Sequence, residues 1–486
     1  MPLPQTLNQE ERKDLLLKRR AIPGILMFSM IYLIAFAIGY HINAVILTIA
    51  LMITLCLLQV PVAISLITAA LLGGLHSGMD MTSAIAAFND NLLIGAQVGL
   101  TYVMIGAFAV AVARSGLLDI LAHKIASRLD LREGATNKGV KWIIFLTFIT
   151  ASAMSQNLVP VHIAFIPILI PPLLGVMNRL QVDRRAVACV LACSISASYL
   201  LLPTGFGAIY LNEILLANVN DVGQAYDLTA TASMVPKAMF LPVMGILVGM
   251  LVAVFYTYRK PRDYQTVPLT DLHVEQSPQT LKITQLVTTL LALAVALICQ
   301  LKFDSLMVGA MIGFIILSFT GIFRWNEQDD VFTEGLRMMA QIAVIITIAS
   351  GFSGVLSATD EIAPLVSATA DMVGGNMALG AALMLIVGLF ITIGFGDSFA
   401  SVPILAPIYI PLAITLGFSP MATIALLGAA AALGDAGSPA STITLGATAG
   451  LNADGQHNHI NDSVIPTFSH ANFGMLLFAW IAAMLL

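Results

Sequence analysis

Two similar proline-rich stretches, Ile166-Pro-Ile-Leu-Ile-Pro-Pro-Leu173 and Val402-Pro-Ile-Leu-Ala-Pro-Ile-Tyr-Ile-Pro-Leu412, lie 236 residues apart. The same offset brings Pro203 onto Pro439. A membrane-spanning helix does not need proline, because proline removes a backbone donor and clashes with the preceding turn. Proline-rich apolar segments at matching positions of two halves are typical of interrupted helices around a transport site. The pattern therefore predicts an internal duplication.

The composition of this 486-residue chain is that of a membrane protein. Hydrophobic residues make up 58% and charged residues only 10%, whereas soluble proteins carry roughly 25% charged residues. We predict an all-α polytopic membrane protein with two inverted-topology repeats, each with a re-entrant helical hairpin and a broken transmembrane helix. At roughly 20 residues per crossing, apolar runs of spanning length lie near 22–39, 43–58, 62–75, 92–113, 236–258, 283–300, 304–323, 338–357 and 471–486.

Four longer apolar runs define the predicted repeats. Two of them, 142–175 and 377–411, are too long for one crossing and carry polar residues midway, which predicts hairpins. The other two are broken by Pro203-Thr-Gly205 and Gly434-Asp-Ala-Gly-Ser-Pro439, which predicts unwound helices at 186–216 and 421–450. The predicted parts are an N-terminal cytoplasmic tail with extra scaffold helices (1–91), a first repeat (92–258), a cytoplasmic linker with connecting helices (259–337) and a second repeat (338–486).

Basic residues orient the predicted spans. The N-terminal segment and loops 114–141, 176–186 and 259–282 are rich in lysine and arginine, whereas loops 76–91 and 358–376 have none. The positive-inside rule places the first group in the cytoplasm. An odd number of crossings separates the two repeats, so the second is expected to be inverted. Loop 451–470 is also placed inside by this count, although it has no lysine or arginine.

Two aspartates stand out because charged groups inside a bilayer are costly and usually have a task. Asp397 lies between the arms of the second predicted hairpin, and Asp435 lies in the break of the following span. Each is flanked by glycine and hydroxyl residues. Carboxylate, hydroxyl and carbonyl oxygens suit a hard cation, so we predict that both aspartates bind Na+, and a desolvated carboxylate also suits proton carriage. The alternative is that each aspartate caps a half-helix.

Neutral polar residues accompany these acids. Ser438 and Thr442 are four residues apart, which predicts that they share a helix face; back-bonding of hydroxyls within the helix is the alternative. Candidate substrate or cation ligands of the first half, otherwise simple caps, are Ser155, Gln156, Asn157 and Thr204.

The two hairpins, the two broken spans and the motifs Gly394-Phe-Gly-Asp-Ser398 and Gly434-Asp-Ala-Gly-Ser-Pro-Ala-Ser441 resemble the Na+/H+ antiporter-like permeases (NhaC-like and YuiF-like) of the ion transporter superfamily. The resemblance covers most of the chain after about residue 90. It implies a secondary transporter of the bacterial inner membrane that forms a homodimer, with scaffold and mobile transport domains. Carried over by position, it selects Ser155, Gln156, Asn157, Thr204, Asp397, Ser398, Asp435, Ser438 and Ser441.

The resemblance also implies the partners. We expect Na+ and/or H+ as the coupling ion with no other cofactor, a small ion or small molecule as substrate, a homodimer in the lipid bilayer, and no nucleic acid. A Na+- or H+-coupled amino-acid permease of the same fold is the alternative function.

An intramembrane aspartyl protease is the alternative of another class. Gly394-Phe-Gly-Asp397 matches the GxGD pattern of those enzymes, but they need a second aspartate in a Tyr-Asp pair on a neighbouring span. Tyr226-Asp227 lies in a predicted external loop, and Pro439-Ala440 is followed by Ser441 rather than leucine. We therefore expect that the protein is not an enzyme.

Overall fold

A computed structural model describes residues 29–30, 32–34, 37, 41–117, 137–157, 166, 169–265, 283–303 and 305–486. The predicted N-terminal tail, most of the span near 22–39, residues 158–165, 167 and 168 of the first predicted hairpin and most of the linker 259–282 lie outside the described residues.

The fold is all-helical, with no strand in these ranges. In chain order the helices are α1 (Ala44–Leu57), α2 (Val62–His76), α3 (Met81–Asp90), α4 (Leu92–Arg114), α5 (Asn137–Asn157), α6 (Pro171–Arg179), α7 (Arg184–Leu201), α8 (Phe206–Ala208, the π-helical Ile209–Leu216 and Ala217–Gly223), α9 (Met234–Thr257), α10 (Ile283–Phe303), α11 (Leu306–Phe319), α12 (Gln328–Ala358), α13 (Ile362–Met372), α14 (Met377–Phe395), α15 (Ser398–Thr415), α16 (Pro420–Ala432), α17 (Thr442–Leu451) and α18 (His459–Leu485).

Eight of the described helices are long and apolar enough to cross a membrane. Helix α12 begins at Gln328 rather than near Met338, because Asp329 and Asp330 in its first turn favour a helix start that hydropathy does not detect. Helices α3 and α13 lie within segments that we predicted as loops. They are short, and α3 begins at the Asp80 cap, whose side chain accepts a hydrogen bond from Ser83 N (2.6 Å).

Glycines let two pairs of helices pack closely and antiparallel. A Cβ on Gly95 of α4 would lie 2.6 Å from Ile346 O of α12, and one on Gly106 would lie 2.5 Å from Gly335 O. Helices α9 and α18 make a similar contact. Small residues allow such close backbone approach between membrane helices. The 236-residue offset relates α4 to α12. An inverted duplication requires helices at matching positions to run antiparallel, as these two do. The inversion of the whole repeat stays a prediction.

The first interruption of the second half lies at a two-residue turn. Helices α14 and α15 are joined by Gly396 and Asp397, and Gly396 has φ +62°, a conformation that glycine adopts readily. The two helices run antiparallel, since Tyr409 OH donates to Met384 O (2.5 Å). That this hairpin enters and leaves the bilayer on the same side stays a prediction.

The proline-rich stretch is not where the helix breaks. Helix α15 continues through Pro403, Pro407 and Pro411. These prolines are four residues apart, so they lie on one face of the helix. In the first half, Pro171 and Pro172 begin α6, a position where proline is tolerated.

Both breaks of the later helices are visible in the structure. Helix α7 ends at Leu201 and α8 begins at Phe206, whereas α16 ends at Ala432 and α17 begins at Thr442. The prediction that Ser438 and Thr442 share a helix face is wrong. Ser438 lies outside the helix, in the break before α17. Its hydroxyl donates to Ile393 O near the end of α14 (2.9 Å).

A buried ion pair connects the two halves. Arg184, at the start of α7, donates to Asp454, beyond the end of α17, with an N–O distance of 2.5 Å, and both side chains are almost fully buried. Arg184 also donates to Leu451 O and lies 4.3 Å from the ring of Tyr264. Arg262 forms a second pair with Asp462 (2.9 Å). These contacts place segment 451–462 beside the predicted cytoplasmic loops and give it arginine partners that its own sequence lacks.

The Arg184–Asp454 pair is expected to matter for stability. Burial alone would raise the pKa of Asp454, but the hydrogen bonds and charge of Arg184, together with hydrogen bonds from Gln456, outweigh burial and hold that pKa below its usual value. Asp454→Asn leaves the Arg184 charge buried and unpaired, a loss of about 3–5 kcal/mol. We expect a clearly lower unfolding temperature in detergent, whereas the exposed Asp371→Asn leaves it unchanged. The double variant Arg184→Met/Asp454→Leu should recover much of the loss, because apolar replacements of buried pairs are often neutral. An unchanged unfolding temperature in Asp454→Asn contradicts this prediction.

Candidate functional site

Asp435 is the centre of a buried polar cluster. It lies in the break between α16 and α17, and only 6% of the residue is exposed. Its Oδ2 accepts hydrogen bonds from Tyr199 OH and from Ser398 Oγ (2.9 Å), and these two hydroxyls are 2.9 Å apart. Ser441 Oγ lies 3.4 Å from Oδ1. Within the described ranges no lysine or arginine pairs with Asp435, and the side chains that donate hydrogen bonds to its carboxylate there are three hydroxyl groups.

Asp397 has a different setting. It is the N-cap of α15, and its Oδ1 accepts a hydrogen bond from Ala400 N (2.9 Å). The capping alternative therefore accounts for one of its oxygens. Asp397 also lines the same cavity as Asp435, so it can act both as a cap and as a cavity carboxylate.

A cavity of about 30 Å³ opens beside the two aspartates. A water molecule needs roughly 10–15 Å³ on the same kind of measure, so the cavity has room for an ion or a water but not for an amino acid. It brings together four of the predicted site residues, Gln156, Asp397, Asp435 and Thr442. The full lining is Tyr102, Gln156, Tyr199, Phe206, Ile342, Asp397, Phe399, Asp435, Thr442 and Ile443.

The other predicted residues of the first half do not line this cavity. Ser155 Oγ donates to Ser152 O (2.8 Å), a hydrogen bond within α5 rather than a cap. Asn157 Nδ2 donates to Ala153 O (3.3 Å), and its buried Oδ1 has no hydrogen-bond partner among the described residues. Thr204 is partly buried in the first break. The structure thus brings Gln156 to the aspartates and leaves these three residues outside the lining.

The hydroxyls of the second break have separate roles. Ser438 bonds to Ile393 O and accepts from Ala440 N (3.0 Å), so it connects the break to α14. Ser441 is the N-cap of α17 and accepts from Ile443 N (3.2 Å) while facing Asp435. Thr442 is the first residue of α17.

The sequence analysis missed the closest partner of Asp435. Tyr199 is buried, with 1% exposed, and it lies 236 residues before Asp435. This is the offset that relates the two proline-rich stretches. Applying the offset to Asp435 would therefore have found Tyr199. If the two halves are repeats as predicted, Tyr199 and Asp435 occupy matching positions and lie near the axis that relates the repeats.

A second, much larger cavity of about 1020 Å³ lies nearby. We call it the vestibule. Its carboxylates are Glu213, Asp221 and Asp227, and no lysine or arginine is found among the described residues that line it. Val98 and Thr101 of α4 form part of its wall, and Thr101 is next in sequence to Tyr102, which lines the small cavity. By the predicted topology the vestibule lies on the external side.

Sequence comparisons now identify the family. A sequence model described as "Na+/H+ antiporter family" matches residues 192–481, and a second, described as "Na+-H+ antiporter family", matches residues 43–129. The chain belongs to the Na+/H+ antiporter family. Membership makes it a multi-pass membrane protein and a secondary transporter, not an enzyme, and the GxGD resemblance to proteases is therefore fortuitous.

Relatives of this antiporter-family chain match it almost end to end. A membrane protein of Vibrio parahaemolyticus is 47% identical over 91% of this chain and 100% of its own length. A membrane protein of Haemophilus influenzae is 46% identical over 91% of this chain and 99% of its own. YuiF of Bacillus subtilis, named as a candidate amino acid transporter, is 44% identical over 91% of this chain and 100% of its own.

Two solved transporter structures share the fold of this family member. The YdaH transporter of Alcanivorax borkumensis has a TM-score of 0.55 at 17% identity, covering 90% of this chain and 97% of that one. MtrF of Neisseria gonorrhoeae, described with antimetabolite efflux pumps, has a TM-score of 0.56 at 15% identity, covering 84% of each chain.

Proposed function

We propose that the protein exchanges Na+ for H+ and that both ions use the Asp435 carboxylate in turn. The observation that carries this proposal is a buried carboxylate surrounded by hydroxyl oxygens, without a basic partner in the described ranges, on a cavity that has room for an ion. A buried, unpaired carboxylate is costly. A bound Na+ or a proton removes that cost, so each ion can neutralise the site in its turn.

The surrounding oxygens suit Na+ as a transported ion. The hydroxyl groups of Ser398, Ser441 and Tyr199 can also bind a cation. When their O–H bonds rotate away from the carboxylate, the lone pairs of the oxygens point towards the ion. Asp397 offers a second carboxylate from the hairpin turn. A hard cation prefers such oxygen ligands. The ligands come from the hairpin and from both broken helices, so movement of these elements would carry the ion between the two sides by alternating access.

The setting of the transporter is part of the proposal. We infer a homodimer in the bacterial inner membrane with a cytoplasmic N-terminus, as the family resemblance and the arginine-rich loops support. The arginines Arg184 and Arg262, paired with segment 451–462, support a cytoplasmic position for that segment as well.

A coupled amino-acid permease is the second candidate. The name of the Bacillus relative favours it. The cavity beside Asp435 does not, because small-molecule sites usually measure about 300 Å³ or more, and this cavity measures about 30 Å³. Amino-acid transport would require the cavity to widen into the vestibule.

Transport by purified protein in liposomes separates the two candidates. For Na+/H+ exchange, we expect labelled Na+ to accumulate when the interior is acidic, and an ionophore that dissipates the pH gradient should stop the uptake. A mixture of amino acids should leave the uptake unchanged. Na+ uptake that ignores the pH gradient contradicts the proposal. Uptake that requires an amino acid supports the permease instead.

A further inference from the structure

Five aromatic side chains pack together beside Asp435. The ring of Phe399 lies 5.4 Å from that of Tyr102, 5.5 Å from Tyr199 and 5.3 Å from Tyr210, measured between centroids. Phe206 joins the group at 5.2 Å from Tyr102. We call these five residues the aromatic barrier. Its members come from α4, α7, α8 and α15, so it closes the space where four helices meet.

The barrier forms part of the wall of the Asp435 cavity. Four of its members line the Asp435 cavity. Thr101, the neighbour of Tyr102, and Glu213, about one helical turn beyond Tyr210, line the vestibule. Two barrier residues, Tyr102 and Tyr210, are thus close in sequence to residues that line the vestibule.

Phe399 is the barrier residue most directly tied to the site. It is the second residue of α15 and follows Ser398, whose Oγ donates to Asp435 Oδ2 (2.9 Å). Only 9% of Phe399 is exposed. Both residues follow the Gly396–Asp397 turn, so any movement of this turn carries the ring and the hydroxyl together.

We propose that Phe399 determines which cations the transporter accepts, by keeping the Asp435 cavity closed to organic ammonium ions. This inference rests on the proposed function, because it takes Asp435 as the carboxylate that binds the cation. With the ring in place the cavity measures about 30 Å³. Without the ring, the space would extend towards Tyr102, Tyr199 and Tyr210. Aromatic faces beside a carboxylate attract quaternary ammonium ions through cation–π contacts.

The test measures competition for Na+ uptake in liposomes. Tetramethylammonium is a suitable probe because it carries a permanent charge and cannot cross as a neutral amine. We expect it to leave uptake by the unmodified protein unchanged. In Phe399→Leu, and more strongly in Phe399→Ala, the concentration for half-inhibition should fall by about tenfold or more, equivalent to about 1.4 kcal/mol of binding. Leucine keeps an apolar side chain, so the milder variant retains the fold if the alanine variant does not.

Phe352→Leu is the matched control. Phe352 is a fully buried phenylalanine of α12 that lines neither cavity. Continued exclusion of tetramethylammonium by Phe399→Leu overturns the inference, as does equal inhibition in Phe352→Leu. Neither result touches the role of Asp435. That role fails separately if Asp435→Asn retains Na+ uptake.

Discussion

Asp435→Asn is expected to lower Na+ uptake driven by a pH gradient by about two to three orders of magnitude. Asparagine has nearly the same shape, and its carbonyl oxygen can still accept hydrogen bonds from Tyr199 and Ser398. The fold should therefore survive. The change removes the charge that offsets the desolvation of a bound cation, and loss of a charged partner at a buried site costs about 3–5 kcal/mol. Each 1.4 kcal/mol corresponds to about tenfold in affinity.

The vestibule provides a control for this prediction. Asp221→Asn removes a carboxylate from the wider cavity, away from the hydroxyl cluster, and should lower uptake only slightly. Both variants are compared at equal protein content in liposomes over a range of Na+ concentrations. Equal losses in the two variants would mean that general negative charge, rather than the Asp435 site, supports transport.

Much of the fold follows from the sequence because its signals are local. Long apolar runs predict spanning helices, and glycine and proline near Gly396 and Pro203 predict the interruptions. Other features depend on contacts between distant segments. The ion pair between Arg184 and Asp454 joins residues far apart in the chain, so the local absence of lysine and arginine in segment 451–470 could not reveal it.

Some residues of the candidate site could likewise be predicted from local sequence, whereas others depend on contacts between distant segments. Asp435 could be predicted because a carboxylate in a glycine-rich break of an apolar run is conspicuous. Ser155 and Asn157 resemble ligands in sequence, yet their side chains bond to the preceding helical turn. Phe399 appears in the sequence as one more apolar residue. Its place in the wall of the Asp435 cavity depends on how α4, α7, α8 and α15 meet, which no local pattern records.

Substitutions of Asp397 are expected to affect transport and stability separately, because the residue both caps α15 and lines the cavity. Asn caps helices about as well as Asp, whereas alanine costs about 1 kcal/mol. If the Asp397 carboxylate also binds the cation, Asp397→Asn should lose most Na+-driven flux while retaining the unfolding temperature of the unmodified protein. Asp397→Ala should lose the flux and also unfold at a lower temperature.

If Asp397 only caps the helix, the flux of the two variants should differ. Asp397→Asn would then transport almost normally, and only Asp397→Ala would be damaged. Flux and unfolding temperature measured on the same preparations distinguish the two cases, with the cap of α3, Asp80→Asn and Asp80→Ala, as a matched pair away from the cavity. Near-normal flux in Asp397→Asn assigns the cation to Asp435 alone. Loss of flux without loss of stability instead assigns it to both carboxylates, so that the ion itself holds the hairpin turn against the broken helix.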